Sequence, residues 1–239
     1  MTIRVLILRA PGINRDHDAA RACALAGATP ERVHVNRLAS GELRLDDYAM
    51  LVIPGGFSYG DHLGAGKLLA IDIEHRLGDQ LQRFVANGRP VIGICNGFQV
   101  LVKAGILSGP TDDESPTTDD SPPSPGSAIG YRLSPTAHGE GRVAVRDDDA
   151  LAQLSAQGLV ALRYLGDDGA DTGYPANPNG SPDNIAGLCN AQGNVLGLMP
   201  HPENAVLPQQ HPRWTREPAR AEGDGLVIFR NAVRYAASL

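Results

Sequence analysis

Apolar and polar positions alternate along the first half of the chain in a rhythm of short buried runs and amphipathic stretches. Ile3–Leu8 is an apolar run closed by a Pro11-Gly12 turn, and reads as a first strand. Asn14 is the expected N-cap of a helix through Ala20, Cys23, Ala24 and Ala26, ended by Gly27. Val33–Val35 and Met50–Ile53 read as further strands. Leu77, Leu81, Phe84 and Val85 recur at helical spacing up to Asn87-Gly88, and Val91–Ile94 is again strand-like. The second half has shorter strand signals at Val143–Val145, Val160–Tyr164, Ile185–Leu188 and Val195–Met199. Asn190–Asn194 forms a hairpin-like turn between the last two. Leu226, Phe229, Val233 and Ala237 mark a C-terminal helix. Strand and helix alternating at this pitch predict an α/β fold with a flavodoxin-like doubly wound sheet, whose sites lie at the carboxyl ends of strands.

Gly109–Ala128 interrupts the pattern. It holds five prolines, many small polar residues and no aromatic residue. Such a segment buries too little apolar surface to offset the entropy of ordering, so it is expected to be a disordered spacer within a single domain spanning 1–239. It also explains the charge. The chain carries a formal net charge of −6, and five of its acids (Asp112, Asp113, Glu114, Asp119, Asp120) fall in this segment, which has no Lys or Arg. The remainder is close to neutral, which argues against nucleic acid as a partner. No apolar run approaches the length of a membrane span, and Met1–Leu8 lacks the basic region and cleavage site of a signal peptide. Three cysteines lie far apart with no C-x-x-C pair, against a metal centre or disulfide framework and for a reducing, cytoplasmic setting.

Candidate chemistry gathers at the strand ends. In Val91-Ile-Gly-Ile-Cys-Asn-Gly-Phe98, Cys95 lies on the turn between a strand ending near Gly93 and a helix beginning near Phe98. Small flanking residues allow a sharp strand-to-helix turn that exposes the sulfur, and the following helix N-terminus favours a thiolate. A core cysteine at a strand end would look the same in isolation. After the last strand comes Gly197-Leu-Met-Pro-His-Pro-Glu203. Pro202 biases His201 toward extended geometry, where side chains two apart project to one side, so His201 and Glu203 can meet. Cys95 as nucleophile, His201 as base and Glu203 as the carboxylate that orients it make a triad. Pro54-Gly-Gly-Phe-Ser-Tyr-Gly-Asp61 follows the Met50–Ile53 strand. Its Gly55-Gly56 peptide lets backbone N–H groups approach a ligand, so the N–H groups of Gly56 and Asn96 are the candidate oxyanion donors. A nucleotide-binding reading fails: Gly64-Ala-Gly-Lys-Leu68 lacks the required earlier glycine and has Leu where Ser or Thr should follow the Lys, and a dinucleotide fingerprint would need Gly in place of Leu69.

These motifs, with His138-Gly-Glu-Gly-Arg142, resemble the class I (triad) glutamine amidotransferases over nearly the whole chain except Gly109–Ala128. The F-S-Y-G-D, N-G-F-Q and H-G-E-G elements are similar to the glutaminase subunits of a purine-biosynthetic ligase. The resemblance implies that Cys95 attacks the amide carbonyl of L-glutamine with His201 and Glu203 assisting. It implies that Gln99 helps hold the glutamine, and that His138 and Glu140 lie near the mouth of the site. It further implies no cofactor or metal on this chain. On the same resemblance the ammonia is expected to pass to a separate synthetase subunit that carries ATP and Mg with formylglycinamide ribonucleotide, beside a small third subunit. The chain departs from that pattern at Arg15, where the family often has Cys, at Asn204, where Arg commonly follows H-P-E, and in the Pro/Ser/Asp-rich spacer, which stands where a strand-bearing segment is usual. A stand-alone cysteine hydrolase on the same scaffold and an inactive interaction subunit are the rival readings.

Overall fold

A computed structural model describes residues 2–107, 141–166 and 173–239. In order, the elements are β1 (Arg4–Arg9), α1 (Asp16–Leu25), β2 (Thr29–His34), α2 (Val35–Ala39), β3 (Met50–Ile53), α3 (Lys67–Ala86), β4 (Val91–Ile94) and α4 (Asn96–Lys103). They continue with α5 (Asp148–Ala156), β5 (Val160–Arg163), β6 (Ile185–Cys189), β7 (Val195–Leu198) and α6 (Leu226–Ser238). The spacer expected at Gly109–Ala128 lies outside the described residues.

The seven strands form one sheet in the order β2-β1-β3-β4-β7-β6-β5. From β2 to β7 every pairing is parallel, while β6 runs antiparallel to both β7 and β5. Strands buried on both faces explain the continuous apolar runs of the sequence. In β1, Leu6 and Leu8 point to one core, with Leu69, Ile73, Leu77, Leu81 and Phe84 of α3 and Val100 and Leu101 of α4. Val5 and Ile7 point to the other, with Ala19, Ala22 and Cys23 of α1 and Phe229 and Val233 of α6. In α6, Leu226, Phe229, Val233 and Ala236 are buried at spacings of three and four, the stripe that sits on a sheet. The chain is therefore an α/β sandwich with helices on both faces, as its pattern predicts.

Several boundaries differ from expectation. Asn14 does not cap α1; Arg15 holds that position without a side-chain cap bond, because Ile13 is drawn into a bridge with Gly56 one residue earlier. β2 ends at His34, and Val35 begins α2, with His34 Nδ1 accepting from the Asn36 N–H at 3.2 Å. As an edge strand β2 tolerates Pro30, Glu31 and Arg32, which obscure it in the sequence. Helix α3 starts at Lys67, ten residues before the expected stripe, and α5 was not anticipated, although Asp147 caps it with a 2.8 Å bond from the Ala150 N–H. Val143–Val145 is not a strand. Val143 is buried and Val145 packs beside the core, so the alternation is real, but this segment pairs with no strand among the described residues.

Candidate active site

β4 lies at the centre of the parallel part of the sheet, between β3 and β7. The carboxyl ends of these three neighbours deliver the Pro54–Asp61 loop, Cys95 and His201 to one place. Cys95 sits at the turn from β4 into α4 with φ 51°, ψ −108°, left-handed backbone that a residue with a Cβ adopts only where its surroundings enforce it. Here the Cys95 N–H donates to the Leu198 carbonyl of β7 at 2.7 Å. The Cys95 carbonyl in turn accepts from the N–H groups of Phe98 and Gln99 at 3.0 and 3.1 Å. Helix α4 begins at Asn96 rather than Phe98, directly after the sulfur-bearing residue. It lies so close to β3 that a Cβ on Gly97 would fall 1.9 Å from the Ile53 carbonyl oxygen. The elbow read from the sequence is present, and that close approach fixes its shape.

His201 leaves β7 with φ −100°, ψ 86°, and the chain then turns through a short 3-10 segment, Pro202–Ala205. His201 Nδ1 and Glu203 Oε1 are 2.7 Å apart, and both side chains are buried. Glu203 Oε2 has no hydrogen-bond partner among the described residues, so the histidine is the carboxylate's one directional contact there. The imidazole also faces the side chain of Cys95. Burial alone would push His201 down, but hydrogen bonds to Cys95 and Glu203, with their negative charges, outweigh it, and His201 is pushed up to about 9. An imidazole raised in this way is charged at neutral pH and can give its proton to a neighbouring group.

Gly55 fits between these groups. A Cβ there would lie 2.6 Å from His201 Cε1 and 3.4 Å from the Cys95 Cβ, so any side chain would displace the imidazole. Gly56 follows at φ 142°, bridged to Ile13, with the Phe57 N–H donating to the Gly12 carbonyl at 3.0 Å. The Asn96 N–H belongs to the first turn of α4, where no intrahelical acceptor exists. Of the two candidate donors, Asn96 directly follows Cys95, and Gly56 follows the Gly55 that packs against it.

Gln99 lies one helical turn beyond Cys95, its Nε2 3.2 Å from where a Cβ on Gly141 would sit. His138 and Glu140 lie outside the described residues. The neighbouring Gly141 is held by Asn179, whose Nδ2 donates to its carbonyl at 2.8 Å. Two features were missed in the sequence. Tyr164, just beyond β5, lies close enough to Cys95 that burial and the charge of the sulfur both push its hydroxyl up. Tyr174–Asn184 is a polar loop in which Asn177 Nδ2 donates to the Ser181 carbonyl at 2.8 Å and to Asn184 Oδ1 at 2.7 Å. Its run of Asn, Pro and Gly was the available signal. The other thiols are placed differently: burial pushes Cys23 up to about 12 and Cys189 also upward, leaving neither on an elbow. Among the described residues no cluster of His, Cys, Asp and Glu is arranged to hold a metal ion, and no helix is long and apolar enough to cross a membrane.

The chain has relatives among known proteins. Residues 2–123 and 126–236 match the CobB/CobQ-like glutamine amidotransferase domain. The chain is 47% identical to phosphoribosylformylglycinamidine synthase subunit PurQ of Treponema denticola, over 87% of its own length and 90% of the relative's. It is 40% identical to the subunit of the same name from Dehalococcoides mccartyi, over 98% of both chains. Among solved structures, a chain of PurLQS from Thermotoga maritima aligns over 97% of this chain and 98% of its own, with a TM-score of 0.64 and 31% identity.

Proposed function

The chain belongs to the glutamine amidotransferases, in the family of the PurQ subunits of phosphoribosylformylglycinamidine synthase, and on that footing we propose that it hydrolyses L-glutamine at Cys95 and passes the ammonia to a synthetase subunit. The observation that carries this reading is the buried His201–Glu203 pair at 2.7 Å, set with Gly55 against a cysteine on a left-handed elbow.

The Cys95 thiolate adds to the side-chain carbonyl carbon of glutamine, and the developing oxyanion is received by the N–H groups of Gly56 and Asn96. Collapse breaks the C–N bond while the His201 imidazolium gives its proton to the departing nitrogen, releasing ammonia and leaving a glutamyl thioester. His201, now neutral, takes a proton from water as the water oxygen adds to the thioester. The second collapse expels the thiolate and frees the acid, which ionises to glutamate. One glutamine and one water give one glutamate, one ammonia and one proton. Glu203 holds the imidazole in one tautomer and stabilises its charged form. Gln99 contacts the bound glutamine, and the family resemblance assigns His138 and Glu140 to substrate or partner contacts. The synthetase subunit holds ATP and Mg, and uses the ammonia to convert formylglycinamide ribonucleotide to formylglycinamidine ribonucleotide. A small third subunit joins the assembly, which works in the cytoplasm.

The test separates the two half-reactions. With the synthetase present, Cys95→Ala should abolish product formation from glutamine while product formation from added ammonia persists. Cys23→Ala and Cys189→Ala should keep the use of glutamine. Equal loss of both nitrogen sources in Cys95→Ala would defeat the ammonia-donor reading.

A further inference from the structure

The residue after the nucleophile carries a side chain that the mechanism above leaves unused. Asn96 is only 2% exposed, and both its amide oxygen and its amide nitrogen bond to the loop between β3 and α3. Its Oδ1 accepts from Ser58 Oγ at 2.6 Å and from the Ser58 N–H at 3.2 Å. Its Nδ2 donates to Asp61 Oδ1 at 3.0 Å, and the same carboxylate oxygen accepts from the Gly66 N–H at 3.0 Å. Ser58 is 1% exposed. One buried amide therefore ties the elbow to the middle of the loop that carries the Gly55-Gly56 peptide and, through Asp61, to Gly66 at its far end.

That loop needs restraint. Tyr59, Gly60 and Asp61 all have positive φ, at 52°, 67° and 52°. Left-handed backbone at a non-glycine residue costs on the order of 1–3 kcal/mol and persists only where neighbouring contacts enforce it. Tyr59 is further tied to α3 by its hydroxyl, which donates to Asp72 Oδ2 at 2.9 Å. The two candidate oxyanion donors sit at opposite ends of the linkage, the Gly56 N–H two residues before Ser58 and the Asn96 N–H on the residue that supplies the amide.

We infer that Asp61, with Ser58, is a positioning residue for glutamine hydrolysis: through the Asn96 side chain it fixes the Gly56 N–H relative to the Asn96 N–H. The inference rests on the glutaminase reading above and deepens it. Asp61 acts as a hydrogen-bond acceptor, so its charge is dispensable, and Asn at this position presents the same oxygen to both N–H groups. Donors that are aimed at the transition state affect kcat rather than KM when displaced.

The experiment uses the chain assembled with its synthetase, measuring glutamine-dependent and ammonia-dependent product formation. Asp61→Ala is expected to lower kcat for glutamine about 10- to 100-fold, the scale of a misplaced donor, with KM nearly unchanged and ammonia use intact. Asp61→Asn should restore most of that turnover. Ser58→Ala, which removes one bond and keeps the Ser58 N–H contact, should show a smaller fall in kcat and decides the matter if Asp61→Ala does not fold, as judged by its melting curve. Wild-type kcat in Asp61→Ala, or in Ser58→Ala where that variant decides, would overturn the inference. So would a rise in KM alone, or an Asp61→Asn as impaired as Asp61→Ala. A wild-type complex unable to use glutamine at all would instead refute the underlying reading, and the inference with it.

Discussion

His201 carries the clearest titration consequence at the residue scale. Its ordinary value is near 6.5, and the folded environment raises it to about 9. A group raised on folding stabilises the native state fully below its unfolded value, and that contribution is lost as pH rises through the folded value. The wild-type protein should therefore lose stability between about pH 6.5 and pH 9 relative to His201→Asn, measured as the difference in melting temperature across that range. Glutamine turnover should fall above about pH 9, where the imidazolium proton needed by the departing nitrogen is gone. A melting-temperature difference that stays flat across the range would contradict the buried imidazolium. The His201–Glu203 contact and the turn at Cys95 were legible because each sits in its own short motif with a local reason for its geometry: the Gly-flanked turn at Cys95 and the proline between His201 and Glu203. Tyr164 and the Ser58–Asn96–Asp61 linkage were not legible in those terms. Ser58 and Asp61 lie 38 and 35 positions from Asn96, and nothing in their own spacing announces a shared amide.

Among the elements, the close approach of α4 to β3 is the most sensitive feature. A Cβ at Gly97 would meet the Ile53 carbonyl carbon at 2.7 Å and its oxygen at 1.9 Å, and a strand backbone cannot rotate away as a side chain can. Gly97→Ala should destabilise by about 3 kcal/mol, the upper end of the usual overpacking cost. It should also slow glutamine turnover, because the loop carrying Gly55 and Gly56 continues from Ile53. Gly78, within α3, is the opposite case: a Cβ there meets nothing within 4 Å. Gly78→Ala should raise stability by about 0.5–1 kcal/mol through helix propensity. Thermal melts of the pair check both signs, and an unchanged melting temperature in Gly97→Ala would show that the elbow has slack. The same elements show where periodicity is a sound guide. α6 and β1 announce themselves by regular burial, whereas in the first half of α3 an exposed Ile71 sits between buried Leu69, Ala70 and Ile73 and blurs the stripe. Val143–Val145 has a strand's alternation with no partner to pair with among the described residues.

For the whole molecule, alternation of strands and helices is enough to predict the layered α/β class, but the order in which strands pair is decided by long-range packing. Placing β4 between β3 and β7 is what turns three separate loops into one site. The antiparallel β6 and β5 extend the sheet beyond β7, and the hairpin turn at Asn190–Asn194 was readable because Asn190 and Asn194 close it with their own side chains, 2.9 Å apart. A subunit that supplies ammonia to another active site wastes glutamine if it works alone, so hydrolysis should depend on assembly. The most direct measurement is glutamate release from glutamine by the isolated chain and by the chain assembled with synthetase, ATP and formylglycinamide ribonucleotide. Weak hydrolysis in isolation and stimulation of about 10²- to 10³-fold in the complex are expected, the scale of one oxyanion donor brought into line on assembly. Full activity in the isolated chain would point instead to a stand-alone hydrolase, and no activity in either state to an interaction subunit without turnover.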